Sequence, residues 1–459
     1  MNIIDTIGKE SREVIISQVC RVLEKNPEKN VDKLFSIIKA LSRDTESKDA
    51  IESIEKYYNE IPSIKEEVNH ILSTTNSNCL QKFFKNFLAN AIWSGVPKRG
   101  KWMENEDTKI PFVLLLSPSM RCNLRCTGCY AADYPKDSGL SYEEVDRIVG
   151  EARDLGIHYI IILGGEPFFV DYMYKIYEKY NDVYFTPFTN GTLFNDDVAD
   201  KLCKLGNVMP MFSLEGFEEE TDSRRGKGIF KKVMEGMDLL RNRGIPFGVS
   251  SATSTHNIDK VSSEEFIDML IKKGSLMSWY FIYMPVGDKP NVKDMLTPSQ
   301  RIDLGRRTRK IRTTKPYFTI DFFNDAPYVG GCIAGKYYCH INSSGDVEPC
   351  IFAHIATDNI KDKKLIDVFR GNMFKELRSR QPYNKNMLMP CMMIDNPNVI
   401  REIAAKVNAY TTDASANAML NDKYFKEKLD TLASEFKPYA DEAWKNDFNC
   451  KGNDEFSKG

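Results

Sequence analysis

The spacing of hydrophobic residues along this chain changes near residue 100. Over residues 11–93 the apolar positions, such as Val14 and Ile15, recur at helical intervals in a polar background and do not alternate as in a strand. This spacing predicts four or five short helices. Glycine and proline at residues 95–100 interrupt it, and these residue types commonly mark boundaries. We therefore expect an N-terminal helical region over residues 1–100.

A strand and helix rhythm follows this region. Short apolar runs alternate with charged, helix-like stretches, and six such units are typical of a parallel sheet covered by helices. The expected domain covers residues 101–316. Its six predicted strands lie at residues 111–117, 159–163, 183–188, 208–214, 247–251 and 279–284.

Polar or glycine residues stand where these predicted strands end. The carboxyl ends of parallel strands meet at one end of a sheet, which is where such proteins bind their ligands. Ligand-binding residues are therefore expected in these loops. The loop residues include Ser117, Gly164, Gly165, Glu166, Asn190, Ser213, Ser251 and Gly287.

The pattern changes again from about residue 318. Residues 336–342 alternate, residues 343–346 read Ser-Ser-Gly-Asp, and Val347 begins a return strand, which together predict a β-hairpin. We expect a small C-terminal α+β domain over residues 317–397. A charged, helical tail is expected over residues 398–459.

The charge balance and hydropathy of the chain argue against several classes of protein. The 63 Lys and Arg residues nearly balance 65 Asp and Glu residues, giving a net charge of −2, whereas nucleic-acid-binding proteins usually carry a basic surplus. No apolar run approaches the roughly 18 residues of a membrane span. The N-terminus places acids where a signal peptide has basic and then apolar residues. We expect a cytoplasmic protein that neither binds nucleic acid nor crosses a membrane.

Three of the eleven cysteines form the run Cys122-Asn-Leu-Arg-Cys126-Thr-Gly-Cys129 directly after the first predicted strand. In a reducing compartment grouped thiols indicate metal or cluster ligands. Three thiolates are one fewer than usually complete a cubane, so one iron would stay open to a substrate or cofactor. The alternatives are a zinc knuckle, which usually needs further cysteine or histidine ligands, and a chance group of thiols.

This run resembles the signature of the radical S-adenosylmethionine (SAM) superfamily, and the resemblance extends over about residues 112–315. It implies a partial (β/α)6 barrel similar to a TIM barrel. It also implies that Cys122, Cys126 and Cys129 bind a 4Fe–4S cluster whose fourth iron is chelated by SAM. Reductive cleavage of SAM would release a 5′-deoxyadenosyl radical. The family pattern has an aromatic residue directly before the third cysteine, where this chain has Gly128, and Tyr130 follows instead.

Two strand ends resemble cofactor-binding segments of this superfamily. Gly164, Gly165 and Glu166 match the segment that holds the amino group of SAM, since glycines permit close approach and a carboxylate can meet an ammonium. The alternative is a plain β-turn with an exposed glutamate. Asn190 either lines the cavity or belongs only to a turn.

The end of the fourth predicted strand resembles the ribose-contacting segment of the superfamily. Ser213 and Glu215 are two residues apart, so on an extended chain they point the same way and offer a donor and an acceptor. Arg225 resembles a basic residue that faces the SAM carboxylate. Arg224 is the alternative for that role, and an exposed surface charge is the alternative for both.

A second group of cysteines follows the barrel. Cys332 and Cys350 form a C-x12-G-x4-C pattern with Gly345 at the predicted hairpin turn, which resembles the SPASM and twitch auxiliary-cluster extensions. Cys391 is the expected third ligand of a 4Fe–4S cluster. Only Cys391 and Cys450 follow the hairpin, so the chain can hold at most one auxiliary cluster.

The fourth ligand of this auxiliary cluster is left open by the sequence. Cys339, Asp395, a substrate or an open iron could fill the position, although Cys339 is also placed as a small buried residue of a strand. His340 and His354 could be metal ligands or substrate contacts, or ordinary core histidines. The alternative for the whole set is a group of structural thiols in a β-hairpin domain.

These observations predict an enzyme that abstracts a hydrogen atom from a substrate carbon. The resemblance implies peptide modification as the first candidate, with small molecules or lipids as alternatives, and a reductant such as flavodoxin or ferredoxin. A protein of another class, a non-catalytic iron–sulfur electron carrier, would not need the cofactor-binding loops. The predicted cofactors are two 4Fe–4S clusters and SAM.

The two cysteine groups make a prediction for iron content. Anaerobically reconstituted protein should hold about eight irons per chain, four in each cubane. Simultaneous replacement of Cys122, Cys126 and Cys129 by Ala should leave about four. Iron and sulfide analysis checks both numbers, and full iron retention in the triple variant would contradict the assignment of this loop.

Overall fold

The computed structural model describes residues 55–287 and 290–448, with residues 31, 33, 35, 36, 39 and 52 as single positions. Most of the helices predicted before residue 55 therefore lie outside the described residues. Cys20 and Cys450, expected to be core or incidental thiols, also lie outside them.

The N-terminal part is helical as predicted, but it does not end at residue 100. The helix that follows the π-helical segment runs to Glu106, so the break predicted at residues 95–100 is wrong. Pro97 stands in the first turn of that helix, where the N–H that it lacks has no helical partner to lose. The elements are α1 (Pro62–Thr74), α2 (Ser77–Lys82), the π-helical segment (Phe83–Ser94) and α3 (Gly95–Glu106).

Six parallel strands follow, and each overlaps a predicted apolar run. They pair in chain order as one parallel sheet, which confirms the predicted partial barrel. The strands are β1 (Val113–Leu116), β2 (Tyr159–Ile162), β3 (Tyr184–Thr189), β4 (Met211–Ser213), β5 (Gly248–Thr253) and β6 (Met277–Ile282).

The helices between these strands begin and end at local sequence signals. The helix after β1 is capped at its N-terminus by Ser141, which forms a reciprocal capping box with Glu144, and at its C-terminus by Gly156 in the left-handed conformation. Its buried face is apolar. The barrel helices are α4 (Tyr142–Leu155), α5 (Met173–Lys179), α6 (Asp196–Leu205), α7 (Glu218–Arg225), α8 (Ile229–Arg241), α9 (Ile258–Val261), α10 (Glu264–Lys273) and α11 (Pro298–Thr314).

The sheet continues past the sixth strand at both edges. Strand β7 (Phe318–Asp321) pairs in parallel with β6, and β8 (Tyr338–Ile341) pairs in parallel with β1. Strand β9 (Val347–Glu348) returns antiparallel to β8, so the predicted hairpin is present. The resulting nine strands have the order β7-β6-β5-β4-β3-β2-β1-β8-β9. The hairpin that carries Cys350 is therefore attached directly to the barrel sheet.

The C-terminal elements pack around this hairpin. Two short strands pair antiparallel, and helices surround them. No helix in the described ranges is long and apolar enough to cross a membrane. The elements are β10 (Ile355–Ala356), α12 (Leu365–Phe369), α13 (Asn372–Arg380), α14 (Pro397–Val407), β11 (Tyr410–Thr411), α15 (Ala414–Asn421) and α16 (Lys423–Ala443), followed by a π-helical turn over Trp444–Phe448.

Side chains of β6 alternate between two environments. Ser278, Tyr280 and Ile282 are buried, whereas Trp279 and Phe281 are partly exposed. Because neighbouring side chains of a strand point to opposite faces, Trp279 and Phe281 face the barrel interior. Aromatic rings therefore line this part of the interior.

The amino ends of the strands are covered by aromatic residues of the π-helical segment. Phe87 stacks on Phe83 with ring centroids 5.3 Å apart. It also meets Tyr159 of β2 edge-on at 5.1 Å and Phe112 before β1 at 6.1 Å. The N-terminal helices therefore close the end of the barrel opposite the cysteine loop.

We expect Phe87→Ala to weaken the whole barrel, because it removes the ring that joins the helices to β1 and β2. The free energy of unfolding should fall by about 3 kcal/mol, as for other large aromatic truncations. Urea denaturation of the iron-free protein measures this loss. The matched variant Tyr57→Ala removes a ring that is 58% exposed and should change stability by no more than about 0.5 kcal/mol. Equal losses in the two variants would contradict the role given to Phe87.

Candidate active site

The three cysteines of the first group lie in the loop after β1. Cys122 is exposed, and Cys126 and Cys129 are partly buried. Although Cys122 is exposed as a residue, surrounding protein atoms partly shield its sulfur from water and raise its pKa, and the nearby thiols of Cys126 and Cys129 raise it further. In the described part of the chain, no three His, Cys, Asp or Glu side chains surround a point as ligands of one metal ion. In a cubane each thiolate binds a different iron.

Backbone contacts from the end of β2 hold this loop in place. The amide of Gly165 donates to the carbonyl of Ser119 at 3.0 Å, and the amide of Glu166 donates to that of Arg121 at 2.9 Å. A Cβ atom on Gly165 would lie 2.1 Å from the Arg121 carbonyl oxygen. Gly164 has a φ of +106°. The two glycines therefore permit a close approach of backbone to the cysteine loop itself.

Glu166 is buried, with three of its acceptor positions already used. Its Oε1 accepts hydrogen bonds from the Thr189 hydroxyl at 2.7 Å and the Phe168 amide at 3.1 Å, and its Oε2 accepts from the Asn190 amide at 2.8 Å. Burial raises the pKa of Glu166 to about 7 although these bonds oppose it. A carboxylate offers about four acceptor positions, so Oε2 can still receive an ammonium group.

Asn190 joins the end of β3 to the cysteine loop. Its side-chain amide donates to Oδ1 of Asn123 at 2.9 Å and lies 3.7 Å from the sulfur of Cys122. Its own Oδ1 accepts from the hydroxyl of Thr192 at 2.7 Å. Asn190 thus contacts the cysteine loop, and its place in the cofactor cavity stays a prediction.

The structure gives Glu215 partners other than the predicted ribose. Strand β4 ends at Ser213, so the alternation expected to align Ser213 with Glu215 does not extend to the glutamate. The Glu215 carboxylate is 1% exposed. Its Oε1 accepts from Arg224 and Arg225, and its Oε2 accepts from the Ala252 amide at 3.1 Å. The geometry therefore does not favour Glu215 as a ribose acceptor, whereas the partly exposed Ser213 retains that prediction.

The two arginines of α7 differ in what they face. Arg224 donates to the backbone carbonyls of Thr127 at 3.1 Å and Gly128 at 3.3 Å, so it braces the cysteine loop. Arg225 bonds Glu215 and places one guanidinium nitrogen 4.0 Å from the sulfur of Cys126. Of the two candidates, Arg225 is the one directed at the thiols.

Residues after β6 complete this side of the site. The ring of Tyr283 lies against Gly128, since a Cβ atom there would be 2.7 Å from Cε2 of the tyrosine. An aromatic ring thus stands beside the position where the family pattern has its own aromatic residue. A Cβ atom on Gly287 would lie 2.2 Å from the carbonyl oxygen of Cys129. The loop after β6 therefore approaches the cysteine loop as closely as the β2 loop does.

The second group of thiols lies near Tyr338 of β8, whose hydroxyl is 2.9 Å from the sulfur of Cys350. Cys332, Cys350 and Cys391 all act electrostatically on its hydroxyl. Burial raises the pKa of all three thiols, and that of Cys332 reaches about 12. The structure therefore brings together the three cysteines that the sequence singled out. Tyr383 is also close enough to interact with all three.

Both groups carry a feature that fits iron–sulfur ligation. Four of the six cysteines accept a hydrogen bond at sulfur from the amide two residues later in the chain. Such bonds stabilise a thiolate and orient a ligand, so the donor sets fit the clusters. The pairs are Leu124 to Cys122 at 3.4 Å, Phe352 to Cys350 at 3.5 Å, Met393 to Cys391 at 3.4 Å, and Ala334 to Cys332.

Neither Asp395 nor Cys339, the two side chains considered as the fourth ligand of the auxiliary cluster, is available to bind iron. Both oxygens of Asp395 bind the guanidinium of Arg301, at 2.5 and 2.9 Å, and both residues are buried. Oδ2 of Asp395 also accepts the amide of Cys391 at 2.9 Å. Cys339 lies in the hydrophobic core with no exposure, and burial alone raises its pKa. Asp395 is therefore a brace for the Cys391 loop, and Cys339 is a core thiol.

A buried polar chain links the two thiol groups. His340 accepts or donates at both ring nitrogens, contacting Ser117 of the β1 loop at 2.7 Å and Glu348 of β9 at 2.7 Å. The Tyr130 hydroxyl, next to Cys129, interacts with Ser117. Tyr134 donates to Glu348 at 2.8 Å. His340 is thus a satisfied core histidine and not a free metal ligand.

His354 is also part of a buried ion pair. It contacts Asp413 at 2.5 Å through Nδ1 and the carbonyl of Ile351 at 2.8 Å through Nε2. Although burial alone would lower it, these contacts raise the pKa of His354, and the imidazole in turn holds the pKa of Asp413 below its usual range. Both ring nitrogens are used, so His354 does not bind metal.

Sequence reasoning missed several residues of the site. Arg301 stands in a strongly basic helix, and nothing in its local pattern separates it from its neighbours. Tyr338 and Tyr283 could have been suspected, because one lies in the cysteine-bearing hairpin and the other ends a predicted strand. The sequence identifies Ser117 only as the end of a strand, because its partner His340 is 223 residues away.

Both groups of cysteines lie in segments that match known protein families. Residues 116–270 match the profile of the radical SAM superfamily. The chain carries a radical SAM domain. Residues 332–395 match the SPASM profile, an iron–sulfur cluster-binding domain. This radical SAM protein is therefore an enzyme whose cofactors are a 4Fe–4S cluster with SAM and an auxiliary iron–sulfur cluster.

Individual relatives share part of the chain at low identity. An AdoMet-dependent heme synthase of Methanosarcina barkeri is 23% identical over 302 residues, covering 59% of this chain and 86% of that protein. The mycofactocin maturase MftC of Mycolicibacterium smegmatis is 27% identical over 290 residues, covering 59% and 73%. The crystal structure of Streptococcus suis SuiB bound to precursor peptide SuiA has a TM-score of 0.55 at 17% identity, covering 77% of this chain and 91% of SuiB. The likeness to SuiB shows a shared fold.

We expect Gly165→Ala to disturb the first cluster selectively. The added methyl group would collide with the backbone of Arg121, so the cysteine loop must move. Reconstituted iron should fall from about eight to about four per chain. Gly100→Ala is the matched control, because a Cβ atom there meets nothing within 4 Å. Unchanged iron in Gly165→Ala would show that the loop tolerates this displacement.

Proposed function

We propose that this radical SAM enzyme modifies a peptide, using Cys122, Cys126 and Cys129 for the SAM-binding cluster and Cys332, Cys350 and Cys391 for the auxiliary cluster. The observation that carries the proposal is the parallel pairing of β1 with β8. The cysteine loop follows β1, and the Cys350 hairpin begins with β8. Both cysteine groups are thus attached to one pair of neighbouring strands: the first follows the end of β1, and Cys350 contacts Tyr338 at the start of β8.

The cluster and SAM together supply a 5′-deoxyadenosyl radical that abstracts hydrogen from an unreactive carbon. The chain's own residues bind and orient the cofactor. Glu166 retains an acceptor for its amino group, and Arg225 presents a guanidinium for its carboxylate. Ser213 is the proposed contact for ribose. The ring of Tyr283, beside Gly128, is the proposed packing surface for adenine.

The peptide substrate is supported by the relatives and by the fold. MftC is named as a maturase, and SuiB, which shares the fold, binds a precursor peptide. In this proposal Gly164 and Gly165 hold the cysteine loop beside the cofactor. We further propose a one-electron donor such as flavodoxin or ferredoxin as the partner that reduces the first cluster.

An iron porphyrin is the second candidate substrate. The similarity to the heme synthase covers 86% of that protein, a larger share than for MftC. The aromatic side chains Trp279 and Phe281 in the barrel interior could pack against a planar ring. If an iron porphyrin is the substrate, the experiment described next should give a different result.

The experiment follows the abstracted hydrogen atom. Reconstituted enzyme is reduced with dithionite and given SAM together with perdeuterated short peptides, SuiA among them. Mass spectrometry should find deuterium in the 5′-deoxyadenosine, because the radical takes its hydrogen from the peptide. Cys126→Ala should form no 5′-deoxyadenosine at all.

The control arm replaces the peptide by an iron porphyrin. Unlabelled 5′-deoxyadenosine with the peptide, together with a changed porphyrin, would overturn the peptide proposal and favour the second candidate. Unlabelled product in both arms would contradict both substrates while leaving radical SAM chemistry in place.

A further inference from the structure

Tyr338 places its hydroxyl directly on a cysteine of the auxiliary group. The oxygen lies 2.9 Å from the sulfur of Cys350. The side chain is 2% exposed. Among the described residues, Cys350 is the acceptor recorded for this hydroxyl, so water does not compete and the O–H is directed at the sulfur.

Cys350 receives more donors than its neighbours do. Besides Tyr338, the amide of Phe352 points at its sulfur from 3.5 Å, and the amide of Ala353 contributes as well. Cys391 receives only backbone amides, from Met393 and Ile394. The hydroxyl of Tyr338 is thus a side-chain donor that distinguishes Cys350 from the other thiols of the group.

The position of the hydroxyl excludes it as a ligand in its own right. Ligands of a cubane bind different irons and stand apart, whereas this oxygen is within hydrogen-bond distance of the Cys350 sulfur. A phenol with its proton has an O–H to donate, and a coordinating thiolate is a good acceptor. The contact is therefore that of a donor to a ligand.

We propose that the Tyr338 hydroxyl donates a hydrogen bond to the Cys350 thiolate and thereby raises the reduction potential of the auxiliary cluster. The inference rests on the proposed role of Cys350 as a cluster ligand. One-electron reduction adds a negative charge to the cluster and its sulfurs. A donor at sulfur stabilises the reduced form more than the oxidised form, which shifts the potential upward. Tyr338 is thus a positioning residue that tunes the cluster.

The ring of Tyr338 can be kept when its hydroxyl is removed. The ring packs edge-on against Phe322 at 5.9 Å, and Phe322 meets Phe281 at 5.2 Å, so it continues the aromatic wall of the barrel interior. Tyr338→Phe leaves this wall in place and deletes only the O–H. The matched control is Tyr280→Phe, because the Tyr280 hydroxyl is equally buried and donates to the carbonyl of Val261 at 2.8 Å.

The test isolates the auxiliary cluster in a background that lacks Cys122, Cys126 and Cys129. Each tyrosine variant is reconstituted, its iron is counted, and the cluster is titrated with dithionite and mediators while its electron paramagnetic resonance signal is followed. Tyr338→Phe should keep about four irons and show a midpoint potential more negative than the background. Tyr280→Phe should show no shift.

A second readout detects the proton itself. In the background protein, transfer to D2O should remove a strongly coupled exchangeable proton from the electron-nuclear double resonance spectrum of the reduced cluster. In Tyr338→Phe that coupling should be absent already in H2O. An unchanged potential with the coupling retained would overturn the proposal.

Two further outcomes of these measurements can be told apart from a loss of tuning. Loss of iron in Tyr338→Phe but not in Tyr280→Phe would overturn tuning and make the hydroxyl necessary for assembly of the cluster. Full iron in Cys350→Ala would instead remove Cys350 from the ligand set, which is a failure of the proposed function and not of the hydrogen bond. Cys339→Ala, at a core thiol, should leave iron unchanged.

Discussion

The parallel pairing of β8 with β1 is the constraint on which both sites depend. Strand β1 leads into the cysteine loop, and β8 begins the hairpin that ends at Cys350. Backbone hydrogen bonds of a sheet fix the spacing and register of two strands. The distance between the two thiol groups is therefore set by a rigid element and not by a flexible linker.

Buried polar groups reinforce this pairing from the side. The chain from Ser117 through His340 to Glu348 crosses from β1 to β8 and then to β9. Although burial alone would raise it, the His340 imidazole keeps the pKa of Glu348 below its usual range. Removal of the His340 imidazole would take from the buried Glu348 carboxylate the group that most lowers its pKa, which costs more than the loss of an exposed pair. The network thus selects one arrangement of the hairpin against the barrel.

Local patterns predicted the strands and both thiol groups because those features are written in short stretches of sequence. The apolar runs marked β1 to β6, and the spacing of Cys122, Cys126 and Cys129 marked the first group. The β1–β8 pair could not be predicted, since it joins residues more than 200 positions apart. Glu215 shows another limit: the two-residue alternation holds only inside a strand, and β4 ends before this residue. The long-range brace between Arg301 and Asp395 was invisible for the same reason.

The unequal burial of the two thiol groups has a consequence for the behaviour of the enzyme in air. The first group includes the exposed Cys122, whereas the second includes Cys350, which is 8% exposed; the other four ligands are partly buried in both groups. Oxidants attack accessible sulfur sites first. Brief contact with oxygen would thus strip the barrel of its cluster while the hairpin keeps its own. The protein would stay brown and folded yet be unable to cleave SAM, so colour alone is a poor guide to its competence.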